Sequence, residues 1–175
     1  SAWAITSERM VQSSNIYSNS TSENRGGTFA YYNDPTALGW DNYILTGKIL
    51  SADNDGIGLM FRYQDSDNYY KFDTDQQVGF TKLFKKVNGV EETIAHISAS
   101  YIRHVDMDIR IEVIGNTITV YRDGINVFNQ TITDDSLSSG TIALYSWGNQ
   151  GSYFDDINVE IIDTSSPTPP IINDI

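Results

Sequence analysis

The sequence contains no cysteine among its 175 residues. This absence excludes disulfide bonds, thiolate nucleophiles and cysteine-ligated metals. A chain of this length fits a single domain and can bury a complete core without such crosslinks. Any further stabilising group has to be of another kind, and a hard cation bound by oxygen atoms, Ca²⁺, is the expected one.

Basic residues are scarce, because 11 Lys and Arg stand against 23 Asp and Glu, which gives a formal net charge of −12. A field of this sign repels nucleic acids and anionic membrane surfaces, so neither is an expected partner. Long apolar runs are also missing, since no stretch approaches the roughly 20 residues that a membrane-spanning helix needs. The charge suits solubility in a salty medium and provides carboxylates for calcium.

A helical period is missing as well, and a short helical turn near 134–138 is the most that the pattern favours. Short runs rich in β-branched and aromatic residues instead predict strands. The alternation of apolar and polar residues in 109–113 is typical of a half-buried antiparallel strand. The predicted strands cover 28–32, 43–50, 57–63, 69–72, 78–84, 109–114, 117–121, 126–131, 141–145 and 157–161.

Three dipeptides between these runs predict hairpin turns, because their residues tolerate positive φ: Asn88-Gly89, Gly115-Asn116 and Asp123-Gly124. Many short strands with tight turns predict an all-β fold, a two-sheet antiparallel β-sandwich or jelly roll, over residues 1–163. The segment 164–175 is rich in Pro, Ser and Thr, and it is predicted to be an extended linker toward a following domain. A multimodular parent protein is therefore expected.

The order of these strands and turns resembles that of laminin-G/concanavalin-A-like jelly rolls. The segments that carry the resemblance, within roughly residues 3–162, are 55–65 with 68–72, 83–89, 115–124, 140–145 and 154–159. The resemblance is specific for fold and weak for function, because this architecture hosts lectins, glycosidases, binding modules and adhesion domains. In secreted bacterial polysaccharide-degrading enzymes such domains commonly serve as carbohydrate-binding modules. It therefore implies a secreted, extracellular bacterial protein, a marine one included, whose monomeric domain binds a polysaccharide or oligosaccharide.

The enzymes of this fold that most need to be considered are laminarinase-like glycosidases. Retaining hydrolysis needs two carboxyl groups about 5 Å apart, and the laminarinase-like signature places Glu, Asp and Glu on successive inward positions of one strand. The nearest run, 105–112, starts with Asp106 instead, and Glu112 comes one residue too late. We therefore expect no enzymatic activity. A divergent glycosidase or lyase resting on Asp106, Asp108 and Glu112, and an adhesion or spacer domain, remain alternatives.

Sugar binding needs flat aromatic faces for stacking and polar groups for the hydroxyls. Trp147 is the most suggestive residue, because it lies in a glycine-rich segment, 146–153, between two predicted strands. Arg62 alternates with Phe61 and Tyr63, so we expect it to line an exposed sheet face. The expected carbohydrate-binding residues are Arg62, Tyr70, Lys71, Trp147 and Tyr153.

A basic patch is a further hypothesis, resting on Lys82, Lys85 and Lys86 with Arg62 and Lys71 nearby in strand order. If these residues share one face, an acidic polysaccharide such as an algal uronate becomes a plausible ligand despite the net charge. The alternative interpretation is that the lysines solubilise a hairpin.

Asp155 and Asp156 form the strongest carboxylate pair, and they point to opposite faces of the last predicted strand. In the resembling jelly rolls a calcium ion is often held near the final strand by an Asp and by backbone carbonyls of the early loops. The resemblance thus implies a structural Ca²⁺ with Asp155 or Asp156 as side-chain ligand. Carbonyls of 24–27 would complete a shell of about six to eight oxygen atoms. A surface pair of acids is the alternative.

Overall fold

The computed structural model describes residues 1–17 and 25–164. In these ranges the chain forms strands and turns with one 3₁₀ helix, Pro35–Gly39. The strands are β1 (Trp3–Thr6), β2 (Arg9–Gln12), β3 (Thr28–Tyr31), β4 (Tyr43–Ser51), β5 (Gly56–Asp65), β6 (Asn68–Asp75), β7 (Phe80–Val87), β8 (Val90–Ile97), β9 (Met107–Ile114), β10 (Thr117–Arg122), β11 (Ile125–Asn126), β12 (Ile132–Thr133), β13 (Thr141–Trp147) and β14 (Ser152–Ile161). Apart from Thr164, the predicted linker lies outside the described residues.

Two antiparallel sheets pack against each other. The eight-stranded sheet has the order β1-β2-β14-β4-β9-β10-β11, with β12 paired to β10, and the six-stranded sheet has the order β3-β13-β5-β6-β7-β8. Every strand pairing in them is antiparallel. The prediction of an all-β two-sheet sandwich is confirmed. In the part of the chain that is described, no helix has the length and apolar character to cross a membrane.

The core lies between the sheets because each alternating strand directs one side inward. In β9, Ile109, Ile111 and Val113 are buried, while the residues between them are exposed or half-buried. Leu59 and Phe72 are buried in the same apolar cluster from the six-stranded sheet. Burying a side chain of this size contributes about 1.5–3 kcal/mol to stability, so the period-two pattern determines which face of each strand is inside.

The three predicted hairpin turns are confirmed. Asn88 and Gly89 have φ values of 50° and 81° between β7 and β8. Asp123 and Gly124 have values of 52° and 78° between β10 and β11, and Gly115 has 58° between β9 and β10. The left-handed conformation that Asn, Asp and Gly tolerate thus reverses the chain at all three places.

The predicted strand over 126–131 is wrong, because within it only Asn126 belongs to a strand, β11, and the next strand, β12, begins at Ile132. Between them the chain turns, with Asn129 at a φ of 55°. Val127 and Phe128 are nevertheless buried in the core. Their apolar character therefore reflects packing of a loop rather than sheet pairing.

The predicted helical turn near 134–138 is also not formed. The Asp134 carboxylate instead accepts a hydrogen bond from the Ser136 amide at 2.9 Å, which closes a side-chain turn. The 3₁₀ helix occurs at Pro35–Gly39, where Asp34 caps the first turn by accepting from the Thr36 amide at 2.9 Å.

Candidate functional site

A group of charged side chains lies on the face of the six-stranded sheet that points away from the core, which we call the outer face. Strand β6 supplies Lys71, Asp73 and Asp75, because alternate residues of a strand point to the same side. Tyr70, just before Lys71, and Phe72, between Lys71 and Asp73, point into the core. All five side chains are buried, so charged groups are covered on the outer face as fully as apolar groups are covered inside.

Neighbouring segments bring further side chains to these three. Arg25 comes from the segment before β3, Asp55 from the turn before β5, and Glu91 from β8, while β13 adds two aromatic residues. We call the group the buried polar cluster, and its members are Arg25, Asp55, Lys71, Asp73, Asp75, Glu91, Tyr145 and Trp147.

Arg25 contacts four other members of this cluster. Its guanidinium forms an ion pair with Asp75, and both side chains are buried. The guanidinium carbon lies 4.1 Å from the centroid of the Trp147 ring. The backbone carbonyl of Arg25 accepts hydrogen bonds from the Lys71 ammonium at 3.1 Å and from the Tyr145 hydroxyl at 2.8 Å. Both the side chain and the backbone of Arg25 are therefore fixed on the outer face.

Lys71 has a complete set of partners although it is fully buried. Its ammonium lies 3.2 Å from Glu91 Oε2 and stands over the Phe84 and Tyr145 rings at 4.6 Å from each centroid. The Tyr69 hydroxyl donates to the same Glu91 oxygen at 3.3 Å. These contacts offset the cost of removing an ammonium from water.

Several polar atoms of the cluster are buried without a hydrogen-bond partner in the described parts of the chain. They are Arg25 Nε, Asp55 Oδ1, Asp73 Oδ1 and Oδ2, Glu91 Oε1 and Trp147 Nε1. Each such atom costs about 1–3 kcal/mol when nothing bonds it. Their concentration in one place is typical of a site that receives polar atoms of a ligand or ordered water.

Space beside Asp73 is kept free by glycine. A Cβ atom at Gly56 would lie 3.0 Å from Asp73 Oδ1 and 3.4 Å from the Trp147 Cβ. Trp147 itself is half-buried, and the exposed Tyr17 ring meets it edge-on with a centroid distance of 4.9 Å. Trp147 and Tyr17 therefore mark the solvent-facing margin of the cluster.

The cluster contains two carboxyl groups with raised pKa values. Burial raises the pKa of Asp73 to about 7, with the negative charges of Asp75 and Glu91 adding to the effect and Lys71 and Arg25 opposing it. Burial also raises the pKa of Asp55 to about 6, assisted by the charge of Asp75. The proton content of the cluster therefore changes near neutral pH.

Two of the predicted sugar-binding residues, Lys71 and Trp147, are brought together in this cluster. The expectation that Arg62 lines an exposed face is wrong, because Arg62 is only 1% exposed. Its φ of 44° coincides with a register shift in β5 that breaks the alternation. Its guanidinium donates to three backbone carbonyls, those of Asp41, Gly115 and Leu137, at 2.8, 2.6 and 2.8 Å. Arg62 thus ties loops together inside the fold.

The other two predicted sugar-binding residues lie away from the outer face. Tyr70 is part of the core between the sheets, and its hydroxyl donates to Asp134 at 2.6 Å. Tyr153 lies on β14 of the eight-stranded sheet, where it pairs with Val11 and Leu50. The structure therefore does not bring either residue to Trp147.

Asp155 and Asp156 are each paired with a cation on the eight-stranded sheet. Arg9 Nε lies 3.0 Å from Asp155, and Lys48 Nζ lies 3.4 Å from Asp156. Of the expected carbonyl ligands in 24–27, the carbonyl of residue 25 faces the other sheet, and residue 24 lies outside the described part. Across residues 1–17 and 25–164, no group of three or more acidic or histidine side chains is placed to hold a metal ion. Calcium binding by this pair stays a prediction.

The lysines of the hypothetical basic patch are largely neutralised. Lys85 lies 2.8 Å from Asp134, and Lys86 lies 3.1 Å from Asp67. Lys82 stands over the Phe80 ring at 4.7 Å. These contacts favour a structural interpretation of the lysines over recognition of an acidic polysaccharide.

The carboxylates considered for catalysis lie along β9 and just before it. Asp106 is 3.4 Å from Arg9, and Glu112 forms an ion pair with Arg110. Arg110 and Asp108 are exposed on the polar side of the strand, as the alternation predicts. Their contacts are those of a solvated sheet face.

Sequence reasoning missed Asp73, Asp75 and Arg25. The predicted strand ended at Phe72, whereas β6 continues to Asp75. Continuing the period-two pattern would have placed Lys71, Asp73 and Asp75 on one side of the strand. Arg25 lies in a segment without regular structure, and nothing in its local sequence indicates burial.

Solved structures share this fold. A carbohydrate-binding module, CBM66 from Bacillus subtilis, superposes with a TM-score of 0.66 at 20% identity over 91% of each chain. A Bacteroides ovatus xyloglucan-locus protein, GH43B, superposes with a TM-score of 0.62 at 13% identity, over 91% of this chain and 34% of that one. A toad ovary galectin in complex with thio-digalactose superposes with a TM-score of 0.56 at 14% identity, over 70% of this chain and 92% of that one. The predicted concanavalin-A-like jelly roll is thereby confirmed as the fold.

Comparison of the amino-acid sequence with known families and proteins found no match. No protein-family profile matches the chain, and no curated protein matches it.

Proposed function

We propose that this domain is a non-catalytic carbohydrate-binding module that holds a neutral sugar at the buried polar cluster. The observation that carries the proposal is the pair of buried Asp73 oxygens that have no hydrogen-bond partner among the described residues. They lie next to Gly56, which also adjoins the Cβ of the half-buried Trp147. Carboxylate oxygens accept hydrogen bonds from sugar hydroxyls, and the part of the indole that Arg25 and Tyr17 leave exposed offers apolar surface to the C–H groups of a sugar ring. Both kinds of group belong to the buried polar cluster.

The charge of the cluster favours a neutral sugar over an acidic one. Four carboxyl groups face two cations, Arg25 and Lys71, and both cations already have carboxylate partners. A uronate would place a further negative charge among these groups, where the low local dielectric strengthens repulsion. A neutral sugar contributes hydroxyl groups, which can both donate and accept.

The comparisons support this proposal through the titles of the similar structures, one a carbohydrate-binding module and another a galectin with a bound thio-digalactose. We further propose that the domain belongs to a secreted, multimodular protein and targets an attached enzyme to a polysaccharide. The acidic composition suits solubility in such an extracellular setting.

Affinity gel electrophoresis tests the proposal. The wild-type domain is run in gels containing xyloglucan, galactan, xylan, fructan, alginate or polygalacturonate. We expect at least one neutral polymer to retard it, and neither acidic polymer to do so. Asp73→Asn should weaken the retardation at least roughly tenfold, because it replaces an acceptor oxygen of the carboxyl group with an amide N–H donor. Trp147→Ala should weaken it as well.

Tyr153→Ala is the matched control, because Tyr153 is a half-buried tyrosine on the other sheet. It should bind like wild type, and circular dichroism should show that all three variants keep the sheet signal. A wild-type domain that no polymer retards would overturn the proposal and favour an adhesion or spacer role. Retardation by the acidic polymers alone would overturn the preference for neutral sugars.

A hydrolase is the second candidate, because Asp73, with its raised pKa, lies near the ion-paired Asp75. Glycosidases use a protonated carboxyl beside an ionised one. The same polymers are therefore incubated with the domain and assayed for reducing-sugar release. We expect no release, because Asp75 is committed to its ion pair with Arg25. Release that disappears in Asp73→Asn would make the domain an enzyme.

A further inference from the structure

A row of aromatic rings crosses the outer face and ends at Tyr69, whose hydroxyl donates to Glu91 of the buried polar cluster at 3.3 Å. The Tyr31 and Tyr63 rings stack with a centroid distance of 5.3 Å and an interplanar angle of 24°. Tyr63 in turn stacks on Tyr69 at 6.2 Å and 17°. The rings belong to β3, β5 and β6, although β13 separates β3 from β5. They can meet because the cross-strand partner of Tyr31 on β13 is the small Ala143.

Exposure falls steeply along this row. Tyr31 is 49% exposed, whereas Tyr63 is 6% and Tyr69 is 2% exposed. The buried rings of Tyr63 and Tyr69 therefore support the Tyr31 ring from one side, and stacking holds the Tyr31 ring in a defined orientation. An exposed aromatic ring that is held in place loses little conformational entropy when a ligand stacks on it.

A depression of about 380 Å³ lies beside the Tyr31 ring. Its lining includes the exposed side chain of Leu38 and the side chain of Gln64. The Gln64 amide nitrogen donates to the Ser139 carbonyl at 2.9 Å. The amide oxygen accepts no hydrogen bond from the described residues, so it is available to a hydroxyl group.

The charge around this depression is negative. Asp34 and Asp65 belong to its lining, which includes no Lys or Arg among the described residues. Hydrogen bonds from the backbone and side chain of Thr36 lower the pKa of Asp34, so this carboxylate is ionised at neutral pH. An anionic sugar is disfavoured here as it is at the buried polar cluster, and a neutral sugar ring is favoured.

The depression lies far from the part of the cluster around Asp73, although both are on the same sheet. Tyr63 beside the depression and Gly56 beside Asp73 are seven residues apart on β5, which corresponds to roughly 20 Å of extended strand. A single sugar unit cannot reach both places, whereas a chain of several units can.

We propose that Tyr31 and the depression next to it form a second sugar subsite, which binds a neutral sugar unit of the same glycan that the buried polar cluster holds. This inference rests on the proposed function. It implies that the domain recognises an oligosaccharide several units long rather than one sugar. The Tyr31 ring supplies the stacking face, and Gln64 supplies an acceptor for a hydroxyl group.

The test compares a long and a short probe by isothermal titration calorimetry. The long probe is the neutral polymer that retards the wild-type domain in the gels, and the short probe is its constituent monosaccharide. Tyr31→Ala should weaken polymer binding roughly two- to tenfold and leave monosaccharide binding unchanged. Tyr31→Phe keeps the ring and should bind both probes like wild type. Tyr121→Ala, a tyrosine of the eight-stranded sheet, is the matched control and should also bind like wild type.

The outcomes separate the subsite from the proposed function. Polymer binding by Tyr31→Ala that equals the wild type overturns the subsite and leaves the proposed function standing. A loss for Tyr31→Ala while Asp73→Asn binds normally overturns the primary site at the cluster and supports binding at Tyr31. Equal losses for polymer and monosaccharide in Tyr31→Ala overturn the subsite, because Tyr31 would then belong to a single-sugar site. A wild-type domain that binds neither probe overturns both proposals.

Discussion

The guanidinium carbon of Arg25 lies 4.1 Å from the centroid of the Trp147 ring, although the two residues are 122 positions apart in the chain. A cation–π contact of this kind is worth about 0.5–2 kcal/mol, most when it is shielded from water. It joins the segment before β3 to the end of β13. One side of the proposed sugar site is therefore formed by Arg25, which lies in a loop and is not held by strand pairing.

Trp147 is expected to report sugar binding through its fluorescence. A sugar ring that stacks on the indole displaces water from it, so the emission of the wild-type domain should shift on titration with the retarding polymer. Trp3 and Trp40 pack against the core and should contribute a constant background. Trp147→Phe should abolish the shift. A shift that persists in this variant would place the sugar near another tryptophan.

Arg25→Ala should destabilise the fold by roughly 3–5 kcal/mol, because it leaves the buried Asp75 without its partner. Urea denaturation measures the free energy of unfolding. The control is Arg9→Ala, which breaks a half-exposed pair with Asp155 and should cost no more than about 1 kcal/mol. Equal costs for the two variants would show that the Arg25 pair is not shielded from water.

Arg62→Met should destabilise the domain by roughly 3 kcal/mol or more without changing sugar affinity. The substitution leaves three backbone carbonyls without their donor. The bond to Leu137 is buried and the other two are partly buried, and a buried acceptor left without a donor costs about 1–3 kcal/mol. The apolar methionine keeps most of the buried volume. Thermal unfolding and polymer titration are measured on the same sample, below the melting temperature. If the folded Arg62→Met variant loses affinity for the polymer, Arg62 belongs to the sugar site after all.

The stability of the domain should fall as the pH rises from about 4 to about 7 relative to that of Asp73→Asn. Burial raises the folded-state pKa of Asp73 to about 7 from an ordinary value of 3.8. Between these pH values the folded state binds more protons than the unfolded state, so raising the pH favours unfolding. Each such group contributes a slope of up to roughly 1.4 kcal/mol per pH unit.

Urea denaturation at pH 5, 6, 7 and 8 measures this difference. In the wild type the loss of stability should level off well above pH 7, where Asp73 is ionised in both the folded and the unfolded state. Asp55, whose pKa burial raises to about 6, remains in both proteins and cancels in the comparison. Parallel pH profiles for wild type and Asp73→Asn would show that Asp73 is not shielded in solution.

The period-two pattern of β9 and the turn dipeptides at Asn88-Gly89 and Asp123-Gly124 were among the signals that predicted antiparallel sheets, whereas the concanavalin-A-like arrangement was predicted from the resemblance. Alternation determines which side of a strand is buried, and a positive φ is a local property of Gly, Asn and Asp. Both are short-range effects, so the sequence alone carries them. They led correctly to two antiparallel sheets.

The candidate site depended on tertiary structure. Arg62 turned inward because a register shift in β5 interrupts the alternation, and the shift involves pairing with β6 and β13. Arg25 entered the cluster through contacts with Asp75 and Trp147, which lie 50 and 122 positions away. Sequence alone predicted most of the strands and their turns, because neighbouring residues decide them, but it predicted neither β1, β2 and β8 nor the burial of Arg62. Only the folded chain decided which charged residues share the outer face, because contacts between distant segments and the burial they produce arise when the sheets assemble.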